Sequence, residues 1–93
     1  MTAGKVGNLL KVFETIDARG WEPPQPMMRV VETLDRLPRG QKIVTLLHCE
    51  PRPLFRVLTH NGFHYRCRYL PEGHFEITIW HAADTIASSE HLD

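Results

Sequence analysis

The chain has 93 residues, 42% hydrophobic and 24% charged, the make-up of one small globular domain with a single modest core. Eleven basic residues balance eleven acidic ones. Zero formal net charge lacks the basic footprint of a general nucleic-acid binder and the cationic surface of a membrane tether.

Residues 1–8 are small or polar and are expected to form a flexible N-terminus. They carry no signal-peptide core, and no apolar run in the chain matches a bilayer span. One domain is expected over residues 9–81. Leu9 to Asp17, with Val12, Phe13, Thr15 and Ile16, reads as the first strand. Its alternation is impure, because Glu14 and Asp17 fall on different faces, and its inner face stays unassigned. Gly20 permits a backbone turn closed to other residues. Pro24 and Pro26 suit the first turn of a helix, where a missing N–H costs nothing. Met27, Val30, Val31, Leu34 and Leu37 then recur at helical spacing, predicting a helix over 24–37 that stops at Pro38-Arg39-Gly40.

Gln41 to His48 is apolar on both faces apart from Thr45, which suits a central strand. Pro51 and Pro53 open a second helix carrying Leu54, Val57 and Leu58, closed by Asn61-Gly62. In Phe63 to Leu70, Phe63, Tyr65, Cys67 and Tyr69 alternate with His64, Arg66 and Arg68. Pro71-Glu72-Gly73 turns the chain into a fourth strand, where Phe75, Ile77 and Ile79 alternate with Glu76, Thr78 and Trp80. Trp80 either leaves an aromatic patch on an open sheet face, the mark of a protein contact, or is covered by a tail folding over it. Residues 82–93 show little periodicity and predict a loose C-terminal tail. The order is β-α-β-α-β-β. Right-handed crossovers put both helices on one face of a four-stranded mixed sheet, an α/β two-layer sandwich. Pro24-Gln25-Pro26-Met27 is echoed by Pro51-Arg52-Pro53-Leu54, so both helices start alike.

The segment Asp17-x-Arg19-Gly20-Trp21-x-x-Pro24-x-Pro26 resembles the Asp-x-Arg-Gly-Leu-x-Cys-Pro-x-Pro signature of TusA-like (SirA-like) sulfur carriers. The resemblance covers about residues 11–81 and implies the same β-α-β-α-β-β fold. Pro23 stands where that family carries its persulfide cysteine. A cysteine-lacking branch of uncharacterised domains is similar here, both in Glu-Pro-Pro-x-Pro-Met and in His-x-Glu-Pro-Arg-Pro-Leu at His48 to Leu54. Such domains often accompany hemerythrin-like or respiratory proteins, and the resemblance implies a link of that kind.

Sulfur relay needs a thiolate, and Pro23 supplies no thiol. Prolines at 23, 24 and 26 also remove three amide donors from a turn that would otherwise cradle an anion. The expected function is a small cytoplasmic, non-catalytic binding or accessory domain, without a cofactor, that meets another protein or a small ligand. Its recognition edge would join Arg19, Trp21 and Glu22 to His48, Glu50 and Arg52, because the C-terminal ends of adjacent parallel strands share one edge.

The alternative is a redox, metal- or sulfur-handling protein using His48 and Cys49, with His48 as a cationic neighbour of the thiol. Against a metal, successive residues His48, Cys49 and Glu50 point opposite ways on extended backbone, and Asn61-Gly62 breaks the helix between His60 and His64. His74 and His81 lie at opposite ends of the fourth strand, so no metal site is expected. Cys49 and Cys67 are expected as free thiols in the cytoplasm. Cys67 is read as an apolar packing residue. RNA stacking on His64, Trp80 and the Arg66 and Arg68 face is opposed by the charge balance.

Overall fold

The structure, a computed structural model, describes residues 9–85. Six elements follow in order: β1 (Lys11–Asp17), α1 (Gln25–Leu34), β2 (Gln41–Leu47), α2 (Arg52–His60), β3 (Phe63–Tyr69) and β4 (Phe75–His81). The strands form one sheet in the order β1-β2-β4-β3. β1 and β2 are parallel, and β4 runs antiparallel to both of its neighbours. The α2 crossover therefore leaves a one-strand gap between β2 and β3, and the hairpin returns β4 into it. No helix among the described residues is long and apolar enough to cross a membrane.

The core lies between the sheet and the helices. Ile43 and Ile79 face each other across β2 and β4, and Thr45 opposes Ile77; all four are fully buried. Val30 of α1 and Leu54 and Leu58 of α2 close over them. Phe55 stacks on Tyr65 with ring centroids 4.3 Å apart, fastening α2 to β3.

β1 has an assignable inner face. Its register with β2 shifts between Val12 and Glu14, the mark of a bulge at Phe13. The extra residue resets the alternation, so Ile16 points inward and is 3% exposed. Glu14 is ion-paired with Arg29 of α1. The bulge accounts for the impure pattern of this strand.

α1 ends at Leu34, three residues before the expected Leu37. Arg36 and Leu37 donate to Thr33 and Leu34, bonds that tighten the last turn ahead of Pro38. Leu37 remains buried. On the other face of the sheet, Arg68 pairs with Glu76 at 3.0 Å, the cross-strand pairing the sequence implies. Trp80 leaves no exposed patch: it is 5% exposed, with the His64 ring edge-on at 6.3 Å.

The expected loose tail from residue 82 also needs correction. Ala82–Thr85 form a 3-10 turn. Asp84 binds the Arg39 guanidinium at 2.7 Å and the Gly40 amide at 2.8 Å, clamping this turn to the loop after α1. Residues 1–8 and 86–93, where flexible termini were expected, lie outside the described residues.

Burial alone would raise the pKa of Asp84, but the Arg39 and Gly40 bonds outweigh it and hold the carboxyl below its ordinary value. A depressed folded-state pKa means that the clamp contributes fully above the unfolded value and is lost as pH falls through the folded one. We expect Asp84→Asn to cost about 1–2 kcal/mol at neutral pH. The gap to the unmodified protein should shrink below about pH 4, measured by urea denaturation across pH. An equal gap at all pH values would assign the effect to something other than this charge.

Candidate functional site

Two corners of the chain meet at the edge where β1 and β2 end. In the first, Trp21 donates its amide to Ala18 at 3.1 Å, and Gly20 takes a φ of 86°, open at low cost only to glycine. The second is the turn from His48 into α2. A long-range bond joins them: the Gly20 amide donates to His48 Nδ1 at 3.0 Å.

Between the corners lies a cleft of about 310 Å³. Five prolines line it: Pro23, Pro24 and Pro26 on one side, Pro51 and Pro53 on the other. Met27, Val30, Leu47 and Leu54 complete its apolar surface, and its polar side chains are Glu50 and Cys49. Proline brings apolar rings and no N–H, so the walls are stiff and poor in donors.

The helix starts explain why this is a weak anion site. At α1, the Gln25 amide is spent on the Glu22 carbonyl at 2.9 Å, Met28 donates to Pro24, and Pro26 has no donor. Only Met27 keeps a first-turn amide. At α2, Arg52 donates to Glu50 and Leu54 to Pro51, both at 3.0 Å, and Pro53 has none. The donors that make a helix N-terminus an anion cradle are consumed or absent.

Of the edge residues expected from sequence, Glu50 lies in the cleft wall, as does Cys49. Arg52 is largely exposed and pairs with Glu50 at 3.2 Å. Trp21 packs against the core and borders a second, shallower hollow with Met28 and Glu32, on the far side of Pro24. Glu22 is exposed. Arg19 grips Asp17 with two bonds of 2.8 and 2.6 Å, which lower the Asp17 pKa to about 2. His48 is a strut between the corners: its Nδ1 accepts the Gly20 amide.

Sequence reasoning chose the polar residues of this edge and passed over the prolines, Met27 and Leu54 that make the cleft. The signal was present in the repeated Pro-x-Pro starts. Among the described residues, no three of His, Cys, Asp and Glu converge as metal ligands. His81 bonds the Leu37 carbonyl through Nε2 at 2.7 Å, far from that edge.

Both cysteines are free. Cys67 lies on β3, and Cys49 lies in the turn after β2. Burial pushes the Cys67 thiol up, and the Glu50 charge adds to it. Cys49 is exposed. Under limiting maleimide at neutral pH, Cys49 should be alkylated at least ~10-fold faster than Cys67. Peptide mapping by mass spectrometry checks this, and equal rates would contradict it.

Residues 15–81 match the family described as uncharacterized conserved protein (DUF2249). The chain belongs to the DUF2249 family. The crystal structure of the SirA-like protein from Desulfitobacterium hafniense is similar, with a TM-score of 0.65 and 24% sequence identity. The match covers 72% of this chain and 95% of that one. At this identity the likeness shows a shared SirA-like fold. No curated protein matches the sequence. The β-α-β-α-β-β sandwich, with the SirA-like fold expected from the sequence, is therefore shown for this DUF2249 domain.

Proposed function

We propose that this DUF2249 chain is a small cytoplasmic binding or accessory module without catalysis of its own, recognising its target through the proline-lined cleft. The cleft's composition carries the reading. Its walls are apolar and rigid, its helix starts hold few free donors, and Pro23 stands where the resemblance to sulfur carriers would place their cysteine. Such a surface suits an apolar group of a protein or small ligand, with little ordering entropy lost by the prolines. Two free cysteines are compatible with a reducing compartment.

Exposure of Cys49 in the cleft wall favours a second reading, thiol, redox or metal chemistry with His48 beside it. The two readings separate on incubation with a persulfide donor, followed by intact-mass analysis and transfer to an acceptor thiol. Metal analysis of tag-free protein accompanies it. The binding reading expects no transferable sulfur and no stoichiometric metal. A transferable adduct on Cys49, abolished by Cys49→Ser, would replace it with the second.

A further inference from the structure

We propose that the occupant of the cleft is a basic amphipathic peptide segment of a partner protein, seated on both sides of Pro24. This rests on the cleft being the recognition site and specifies what enters it. Pro24 borders the cleft on one side and the shallower hollow of Trp21, Met28 and Glu32 on the other. Met28 is 65% exposed, and Val31 on the same helix is 36% exposed. Two hollows that adjoin at Pro24, the second also lined by Gln25, Arg29 and Glu32, fit a segment that presents apolar side chains beside polar ones.

The charges around this strip set the sign of the partner. Cationic Arg29 borders the second hollow but is ion-paired with Glu14, which also holds Arg36. Arg52 and Glu50 offset each other at the cleft. Glu22, next to Pro23 in the chain, and Glu32, in the second hollow, are exposed, and neither is in an ion pair among the described residues. Of these charges, Glu14, Glu22, Glu32 and Glu50 outnumber Arg29, Arg36 and Arg52 by one, so the balance beside the apolar surface is acidic. Carboxylates beside an apolar strip favour lysine or arginine flanking the apolar anchors and disfavour acidic segments.

The test uses three fluorescein-labelled peptides with the same two leucine anchors one helical turn apart. The remaining positions carry lysine, glutamine or glutamate. Fluorescence anisotropy with the full chain should rank lysine over glutamine over glutamate, the lysine peptide binding ~3- to 10-fold tighter than the glutamine peptide at low salt. High salt should shrink that preference. The double variant Glu22→Gln, Glu32→Gln should erase it while glutamine-peptide binding persists. Equal binding of all three peptides, blocked by Cys49→Trp, would overturn the basic partner and leave the cleft as the recognition site. Absence of binding by every peptide to folded protein would overturn both. Circular dichroism confirms that each variant is folded.

Discussion

Replacing Leu54 with alanine is expected to lower the unfolding free energy by about 2–5 kcal/mol. Leu54 is 2% exposed, sits one residue after Pro53, and serves both the core and the cleft. Truncation removes its buried methyl groups and leaves a void that the proline-stiffened corner cannot readily close. Urea denaturation should show a lower midpoint with an unchanged slope. Leu58, fully buried one turn further along α2, is the control. It does not line the cleft, so Leu58→Ala should cost a similar amount and leave the cleft's shape intact. A loss under about 1 kcal/mol for Leu54→Ala would mean that α2 is not anchored where the structure places it.

Thr45→Val is expected to act in the opposite direction, raising stability by about 1–2 kcal/mol. Thr45 is fully buried in the central strand β2, between Ile16 of β1 and Ile77 of β4 in the register, and its hydroxyl has no hydrogen-bond partner among the described residues. Valine keeps the branched shape that suits a strand and removes the desolvated hydroxyl. Thr33 supplies the contrast. It is equally buried, but its hydroxyl donates to the Arg29 carbonyl at 2.8 Å. Thr33→Val should give no gain. A destabilised Thr45→Val protein, measured by thermal unfolding, would show that the Thr45 hydroxyl is satisfied after all.

These two residues also show how far the fold can be read from the chain. Thr45 interrupts the apolar run of β2, and that run was sufficient to mark a central strand. Its lost hydrogen bond is a property of its neighbours in the sheet and has no sequence signature. The helices and the hairpin were legible because their apolar spacings differ cleanly, near 3.6 in one case and 2 in the other. β1 was not, because a bulge at Phe13 shifts the period midway. The burial of Trp80 is not legible, because alternation assigns a face but does not say how well that face is covered. At the candidate site, Gly20 and the paired Pro-x-Pro starts located the two corners. The bond from Gly20 to His48 that joins them spans 28 residues, and no local pattern records such a contact.

The same geometry gives a consistent account of the cleft. Prolines set the helix starts, consume or delete their donors, and surround an apolar space where a reactive anion would find little support. His48 holds the corners together, and Glu50 and Arg52 sit at the rim. Recognition then depends on the shape of the cleft, whereas sulfur chemistry would depend on the Cys49 thiol. Shape and thiol can be separated at a single position.

The decisive measurement is quantitative recovery of bound molecules by antibody from native cells that express untagged protein, comparing the original chain with Cys49→Ser and Cys49→Trp. Both variants are first shown to be folded. Serine removes the thiol and leaves the cleft open; tryptophan fills it. The binding account predicts that Cys49→Ser retains the interaction and that Cys49→Trp loses it about fivefold or more. Loss of the interaction in Cys49→Ser, or its full retention in Cys49→Trp, would contradict that account.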